Sequence, residues 1–204
     1  MLKYICDISK ALLSIHNSNM INGAVKPSNI YLSEDNTALL GAFKKVELDS
    51  ARQTNQLFSK LLIGEAIPNI LIYWAPEVLK GEPYNTQADM WSLGVTIYQI
   101  ATSEHPFRTD KETDFRDDVL LARVDFSRLE ALPRVKTVVE NLLRVNPDKR
   151  WTAEQVLGFC QYDFAIDIQK LWRGYEARKD YRRRRRALVK IQSNIKGWLT
   201  RINY

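Results

Sequence analysis

The chain has 204 residues, 45% hydrophobic and 26% charged, with 30 lysines and arginines against 24 aspartates and glutamates. That apolar share supports a domain with a buried core, and 10% aromatics with only 8 glycines exclude wholesale disorder, collagen and coiled coil. The net charge of +6 is unevenly placed: residues 1–163 hold 18 basic and 21 acidic side chains, whereas residues 164–204 hold 12 and 3. The basicity therefore belongs to a tail. Cys6 and Cys160 are too few for a disulfide scaffold and point to a reducing compartment. The longest apolar run, Ala66 to Ala75, is broken by Pro68 and Asn69 and falls short of the roughly 20 residues of a membrane span. The N-terminus shows no basic-then-apolar leader pattern, so a soluble cytoplasmic protein is expected.

Along the chain, Leu2, Ile5, Ile8, Leu12, Leu13 and Ile15 recur with the period of one buried helical face, which predicts a helix over 1–17 ended by Asn17-Ser18-Asn19. Asn29–Leu32 and Thr37–Leu40, separated by Ser33-Glu34-Asp35-Asn36, predict a small hairpin. Residues 44–70 have no clean period and are expected to form a long surface loop. From Ala88 to Ala101 the run is apolar on nearly every side, the pattern of a central buried helix. Amphipathic helices are predicted near 115–123, 133–145 and 152–159, the last with Thr152 as N-cap and Glu154 and Gln155 in its first turn. Residues 164–204 contain no proline and favour one or two long helices. His16 reads as a helix-end residue and His105 as a loop residue; neither has a ligand cluster beside it, so no metal site is expected.

Four strings occur in a telling order. Val25-Lys26-Pro27-Ser28-Asn29-Ile30 resembles a protein-kinase catalytic loop, and Tyr73-Trp74-Ala75-Pro76-Glu77 resembles the kinase Ala-Pro-Glu motif. Asp89-Met90-Trp91-Ser92-Leu93-Gly94 is similar to the start of the large buried helix of the same lobe, and Asn146-Pro147-Asp148-Lys149-Arg150 to its late Pro-x-x-Arg turn. The resemblance covers residues 1–160 and implies a mainly α fold: a protein-kinase-like C-terminal lobe with a small β-hairpin, lacking the N-lobe. It further implies that Glu77 pairs with Arg150 and that Asp89 accepts hydrogen bonds from the catalytic-loop backbone, scaffold devices of a kind that buried charges require. Arg123-Val124-Asp125-Phe126 and Gly81-Glu82-Pro83-Tyr84 are similar to the myosin-light-chain-kinase and giant muscle kinase branch.

The same resemblance places the catalytic His-Arg-Asp at Asn22-Gly23-Ala24 and the metal-binding Asp-Phe-Gly at Ala42-Phe43-Lys44. Phosphoryl transfer needs a carboxylate to orient the substrate hydroxyl and ligands for magnesium; here both carboxylates are replaced, and Lys26 and Asn29 are what remain of the polar set. The expectation is a catalytically inactive scaffold rather than an enzyme, with no intact catalytic residues, no metal and no cofactor. A serine/threonine kinase using ATP and magnesium, or a fragment of one, is the alternative.

The tail carries Ile168-Gln169-Lys170-Leu171-Trp172-Arg173-Gly174 followed by Arg178, which resembles a full IQ motif. Ile191-Gln192 with Lys196-Gly197 and Arg201 matches a second time. The two start 23 residues apart, about 35 Å along a helix, as in myosin necks, which residues 164–204 resemble. Ile168, Leu171, Trp172 and Tyr175 share one helical face, and the basic amphipathic pattern suits calmodulin or a calmodulin-like light chain. The run Arg182–Arg186 keeps two other readings open, tethering to an anionic membrane or to nucleic acid, with calmodulin preferred. The surface of 44–75 is expected to meet a further protein partner.

Overall fold

Helix α1 (Leu2–Asn17) buries Ile5, Ile8, Ser9 and Leu12 along one side, and the chain leaves it through Asn19 at φ 53°. The computed structural model describes residues 1–41, 46–47, 71–107 and 112–161. The chain divides into two units, Met1–Cys160 and Gln161–Tyr204, and the core lies in the first. Strand β1 (Met20–Ile21) follows α1; β2 (Ile30–Leu32) and β3 (Ala38–Leu40) form the expected hairpin, with Ile30 opposite Leu40 and Leu32 opposite Ala38. Its turn is pinned by Ser33, whose Oγ accepts from the Thr37 amide at 3.1 Å, and Asn36 takes φ 61° there. Helix α1 then holds the hairpin: the Tyr4 hydroxyl donates to Asn36 Oδ1 at 2.7 Å, and Asp7 accepts from the Ala38 amide at 3.2 Å.

Strand β4 (Val46–Glu47) pairs antiparallel with β1, placing Ile21 opposite Val46. The expected loop over 44–70 thus contains a strand whose partner comes from 25 residues earlier, a pairing that has no local period to announce it. Helix α2 (Pro76–Lys80) opens on proline, whose missing N–H is unneeded in a first turn, and closes at Gly81. At five residues it is too short for periodicity to reveal.

The central element is α3 (Gln87–Thr102), whose Met90, Trp91, Leu93, Val95 and Thr96 are all buried. It packs against α5 (Pro133–Leu142), whose Val135, Val138, Val139 and Leu142 form the complementary stripe. Gly94 permits that approach: a Cβ there would lie 2.9 Å from both Leu142 Cβ and Leu143 Cδ2. Between them in the chain runs α4 (Glu112–Leu120), three residues earlier than its apolar pattern suggests. Its end is a Schellman turn, with the Arg123 amide on the Asp118 carbonyl at 2.8 Å and the Ala122 amide on Val119 at 3.1 Å. Ala122 takes the left-handed position at φ 48° where glycine is usual, so the stop signal is missing from the sequence.

Helix α5 ends at Leu142 rather than at 145, because the chain turns into the 3₁₀ segment Pro147–Lys149. Residues 153–161 form α6, opened by a reciprocal cap: Thr152 Oγ1 accepts from the Gln155 amide at 3.2 Å and Gln155 Oε1 from the Thr152 amide at 2.9 Å. An apolar groove of about 300 Å³ opens between α1, the hairpin and α3, lined by Tyr4, Ile8, Leu32 and Ile100 among others. Leu32 is 59% exposed and Ile100 49%, so part of the α1 surroundings is open to water. Among the described residues no helix is long and apolar enough to cross a membrane.

Candidate functional site

The loop from Asn22 to Asn29 is held by polar bonds at nearly every step. Asp89, in the first turn of α3, accepts from the Asn22 amide through Oδ2 and from the Gly23 amide through Oδ1, both at 2.8 Å. His16 Nε2 donates to the same carboxylate at 2.9 Å. Gly23 sits at φ 66°, where a side chain would be strained by roughly 1–2 kcal/mol. Asn22 is buried and its Oδ1 accepts from the Ala24 amide at 3.0 Å, a local side-chain-to-backbone turn. Asn29 Nδ2 donates to the Ala24 carbonyl at 2.7 Å, and Thr96 Oγ1 to the Val25 carbonyl at 3.3 Å.

Because Asp89 is 1% exposed and serves three donors, its loss leaves buried amides without acceptors. Asp89→Asn keeps the shape, removes the charge and offers one acceptor oxygen instead of two. It is expected to destabilise the lobe by about 1–3 kcal/mol, measured by urea denaturation. A change within experimental scatter would show that the loop is held some other way.

Chemically, this loop presents Lys26 and Asn29, while residue 24 contributes only a methyl group. Ala42, Phe43 and Lys44 lie outside the described residues. Among the described residues no group of three or more histidines, cysteines or carboxylates is placed to hold a metal. Among the described residues, the loop from Asn22 to Asn29 offers no carboxylate oxygens of the kind a magnesium–nucleotide site wants.

The second polar cluster joins α2 to the turn after α5. Glu77 and Arg150 form a fork-to-fork pair, Nη1 to Oε1 at 2.8 Å and Nη2 to Oε2 at 3.0 Å. The remaining guanidinium hydrogens go to carbonyls: Nε to Arg144 at 3.0 Å, Nη1 to Gln87 at 2.6 Å and Nη2 to Val145 at 3.3 Å. The guanidinium also lies 5.2 Å from the Trp91 ring centroid. Glu77 is thus fixed to the segment that opens α3, the helix that carries Asp89.

Sequence reasoning gave His16 and His105 no role, yet both are built into the lobe. His16 lies 73 residues from Asp89, and nothing in either local stretch signals the contact. His105 bonds the Ile72 and Phe107 carbonyls, each at 3.0 Å. Both cysteines are free; burial, and next the nearby Cys6, pushes the Cys160 thiol up to about 11, which keeps it unreactive near neutrality. The tail positions Ile168, Gln169, Trp172, Arg173, Gly174, Arg178, Ile191, Gln192, Lys196, Gly197 and Arg201 lie outside the described residues.

Residues 1–159 match the protein kinase domain family, and residues 163–182 and 185–204 each match the IQ calmodulin-binding motif. A lobe built on a buried central helix, with its catalytic-loop backbone tied to that helix, is that of a protein kinase. This chain belongs to the protein kinase family. It is 25% identical over 167 residues to the probable serine/threonine-protein kinase nek2 of Dictyostelium discoideum, covering 80% of this chain and 38% of the relative. The serine/threonine-protein kinase DCLK3 of Mus musculus is 31% identical, covering 75% of this chain and 19% of its own length. The Aurora kinase of Schizosaccharomyces pombe is also 31% identical, covering 76% and 41% respectively. The crystal structure of Rad53 1–466 in complex with AMP-PNP shares the fold, with TM-score 0.59 and 23% identity over 76% of this chain and 38% of that one. The chain spans about two fifths or less of these proteins.

These matches overturn the expectation of a non-enzyme. The lobe belongs to an enzyme family, and two of these relatives bear serine/threonine-kinase names. The expectation had rested on positions 22–24 and 42–44, whereas the family match extends over residues 1–159. The two IQ motifs indicate binding of calmodulin or a calmodulin-like protein.

Proposed function

We propose that this chain is a protein-kinase-family lobe brought under the control of a calmodulin-class partner by its tandem IQ tail, acting in the cytoplasm. The observation that carries the reading is adjacency: the kinase match ends at 159 and the first IQ match begins at 163. A partner gripping the tail therefore sits directly beside the end of the lobe in sequence. The charge supports the same partner, since residues 164–204 hold 12 basic and 3 acidic side chains and calmodulin-like proteins are acidic. The arrangement parallels the myosin-light-chain-kinase branch, in which a calmodulin-binding segment follows the kinase lobe. Size-exclusion chromatography of the chain with calmodulin, in calcium and in chelator, tests the reading; co-elution in at least one condition is expected. Separate elution in both would overturn it.

A second reading, ATP- and magnesium-dependent phosphorylation of serine or threonine, is favoured by the names of the relatives. Residue 24 is alanine, so on this reading the substrate hydroxyl is oriented by another group. Phosphate incorporation into a generic substrate is then expected to fall at least about tenfold in Lys26→Ala, the retained cation of the loop. Equal incorporation by both forms would remove Lys26 from the chemistry, and incorporation no higher than in a protein-free control would overturn this reading.

A further inference from the structure

Residues 71–73 form a 3₁₀ turn immediately before Trp74 and Ala75-Pro76-Glu77, and one imidazole ties that turn to the segment that follows α3. His105 Nε2 lies 3.0 Å from the Ile72 carbonyl oxygen. Its Nδ1 lies 3.0 Å from the Phe107 carbonyl oxygen and 3.2 Å from the Phe107 amide nitrogen. Tyr73 meets the ring edge-on with centroids 6.0 Å apart, and Phe107 and Phe115 close it in at 5.9 and 6.3 Å. On its other side Phe107 stacks on Trp91 at 5.6 Å and an interplanar angle of 2°, and Trp91 carries the Arg150 guanidinium. A ladder of rings thus runs from the partner of Glu77 to the turn just before Glu77.

The two neighbours of Nδ1 make opposite demands. A neutral ring with its proton on Nε2 donates to Ile72 and accepts from the Phe107 amide, leaving the Phe107 carbonyl facing a lone pair. An imidazolium donates to both carbonyls and deprives the Phe107 amide of its acceptor. Either protonation state has a bonding pattern ready, and they differ in which group of Phe107 is served.

We propose that His105 is a proton-operated latch: taking up a proton switches Nδ1 from the Phe107 amide to the Phe107 carbonyl and turns the Nε2 bond to the Ile72 carbonyl into a charge-assisted one, so that residues 71–73 feel the change. The charge so created has no carboxylate to meet it among the described residues. The 71–73 turn presents the Tyr73 phenol, which is itself bonded to uncharged Gln99 of α3 at 2.7 Å. Glu104, on the same turn as His105, is occupied by Arg128 at 2.6 Å. Helix α4 presents Phe115, and its Asp114, Arg116, Asp117 and Asp118 are not among the groups that shift the imidazole. Burial, the largest influence, holds the pKa of His105 below its ordinary 6.5 against the pull of the two carbonyls. A base depressed on folding favours the folded state while neutral. Its contribution is complete above the unfolded value of 6.5 and is lost as pH falls from there through the folded value.

The chain has two histidines, His16 and His105, so His105→Gln identifies each imidazole signal in a proton–carbon NMR titration of the full chain. The His105 midpoint is expected below 6.5, with the Ile72 and Tyr73 amide signals moving at the same midpoint. A midpoint at or above 6.5, or Ile72 and Tyr73 amides that stay still while His105 titrates, would overturn the latch. Both readings come from the unsubstituted chain, whether or not the variant folds. In the folded variant, the amide movements are expected to vanish, and their persistence would count equally against it.

Discussion

Arg150→Ala is expected to lower the stability of the lobe by about 3–5 kcal/mol, measured as a shifted denaturation midpoint with an unchanged slope. The reason lies in what the substitution leaves behind. The Arg150 and Glu77 side chains are 0% and 6% exposed, so removing the guanidinium strands a carboxylate where water cannot reach it. It also takes the donors from the carbonyls of Gln87, Arg144 and Val145, and the cation from the face of Trp91. Arg150→Lys is expected to recover only part of the loss, because an ammonium cannot fork to two carboxylate oxygens while serving three carbonyls. Glu77→Ala with Arg150→Ala together should cost less than the two singles added, since the second removal relieves a charge already unpaired. Strict additivity would mean that the pair does not act as a unit.

The second large effect belongs to the tail. The unsubstituted chain is expected to take up two equivalents of a calmodulin-class protein, one for each IQ match at 163–182 and 185–204. Ile168→Glu or Ile191→Glu alone should leave one equivalent, and both together none, by isothermal titration. Each change puts a carboxylate where the motif presents an apolar anchor to an acidic partner. Losing the burial of one isoleucine corresponds to at least about tenfold in affinity, and the charge repulsion adds to it. A double variant that still binds two equivalents with unchanged affinity would separate the motif from the binding. Neutralising Arg182–Arg186, which lies between the consensus positions, is expected to weaken association and flatten its salt dependence while keeping both equivalents.

What could be read in advance follows from which forces are local. Helix α1 and the central helix α3 were legible because a buried helix must place apolar side chains at helical spacing, or on every side. The hairpin was legible because Ser33–Asn36 supplies turn chemistry between two short apolar runs. The cap at Thr152 and Gln155 lies within four residues and could be named outright. By contrast, α2 is too short to show a period, β4 borrows its partner from β1, and α4 stops at an alanine in a glycine's conformation. The reading of the chain as a non-enzyme failed for a related reason: it weighed the substituted positions 22–24 and 42–44 and the expected lack of an N-lobe, whereas family membership is spread over the whole lobe.

By itself, the sequence determined the longer helices and the hairpin in their order, the kinase-family motifs and a tail whose charge suits an acidic partner. These are properties of composition and short-range spacing. Only the tertiary structure decided which polar groups meet: Asp89 with the amides of residues 22 and 23 and with His16, Arg150 with Glu77 and three carbonyls, and His105 with the turn at 71–73. The physical reason is that apolar burial is non-directional and can be satisfied by many neighbours, so it leaves a periodic trace along the chain. A buried charge or imidazole needs particular atoms at hydrogen-bond distance, and packing brings those atoms from residues tens of positions away.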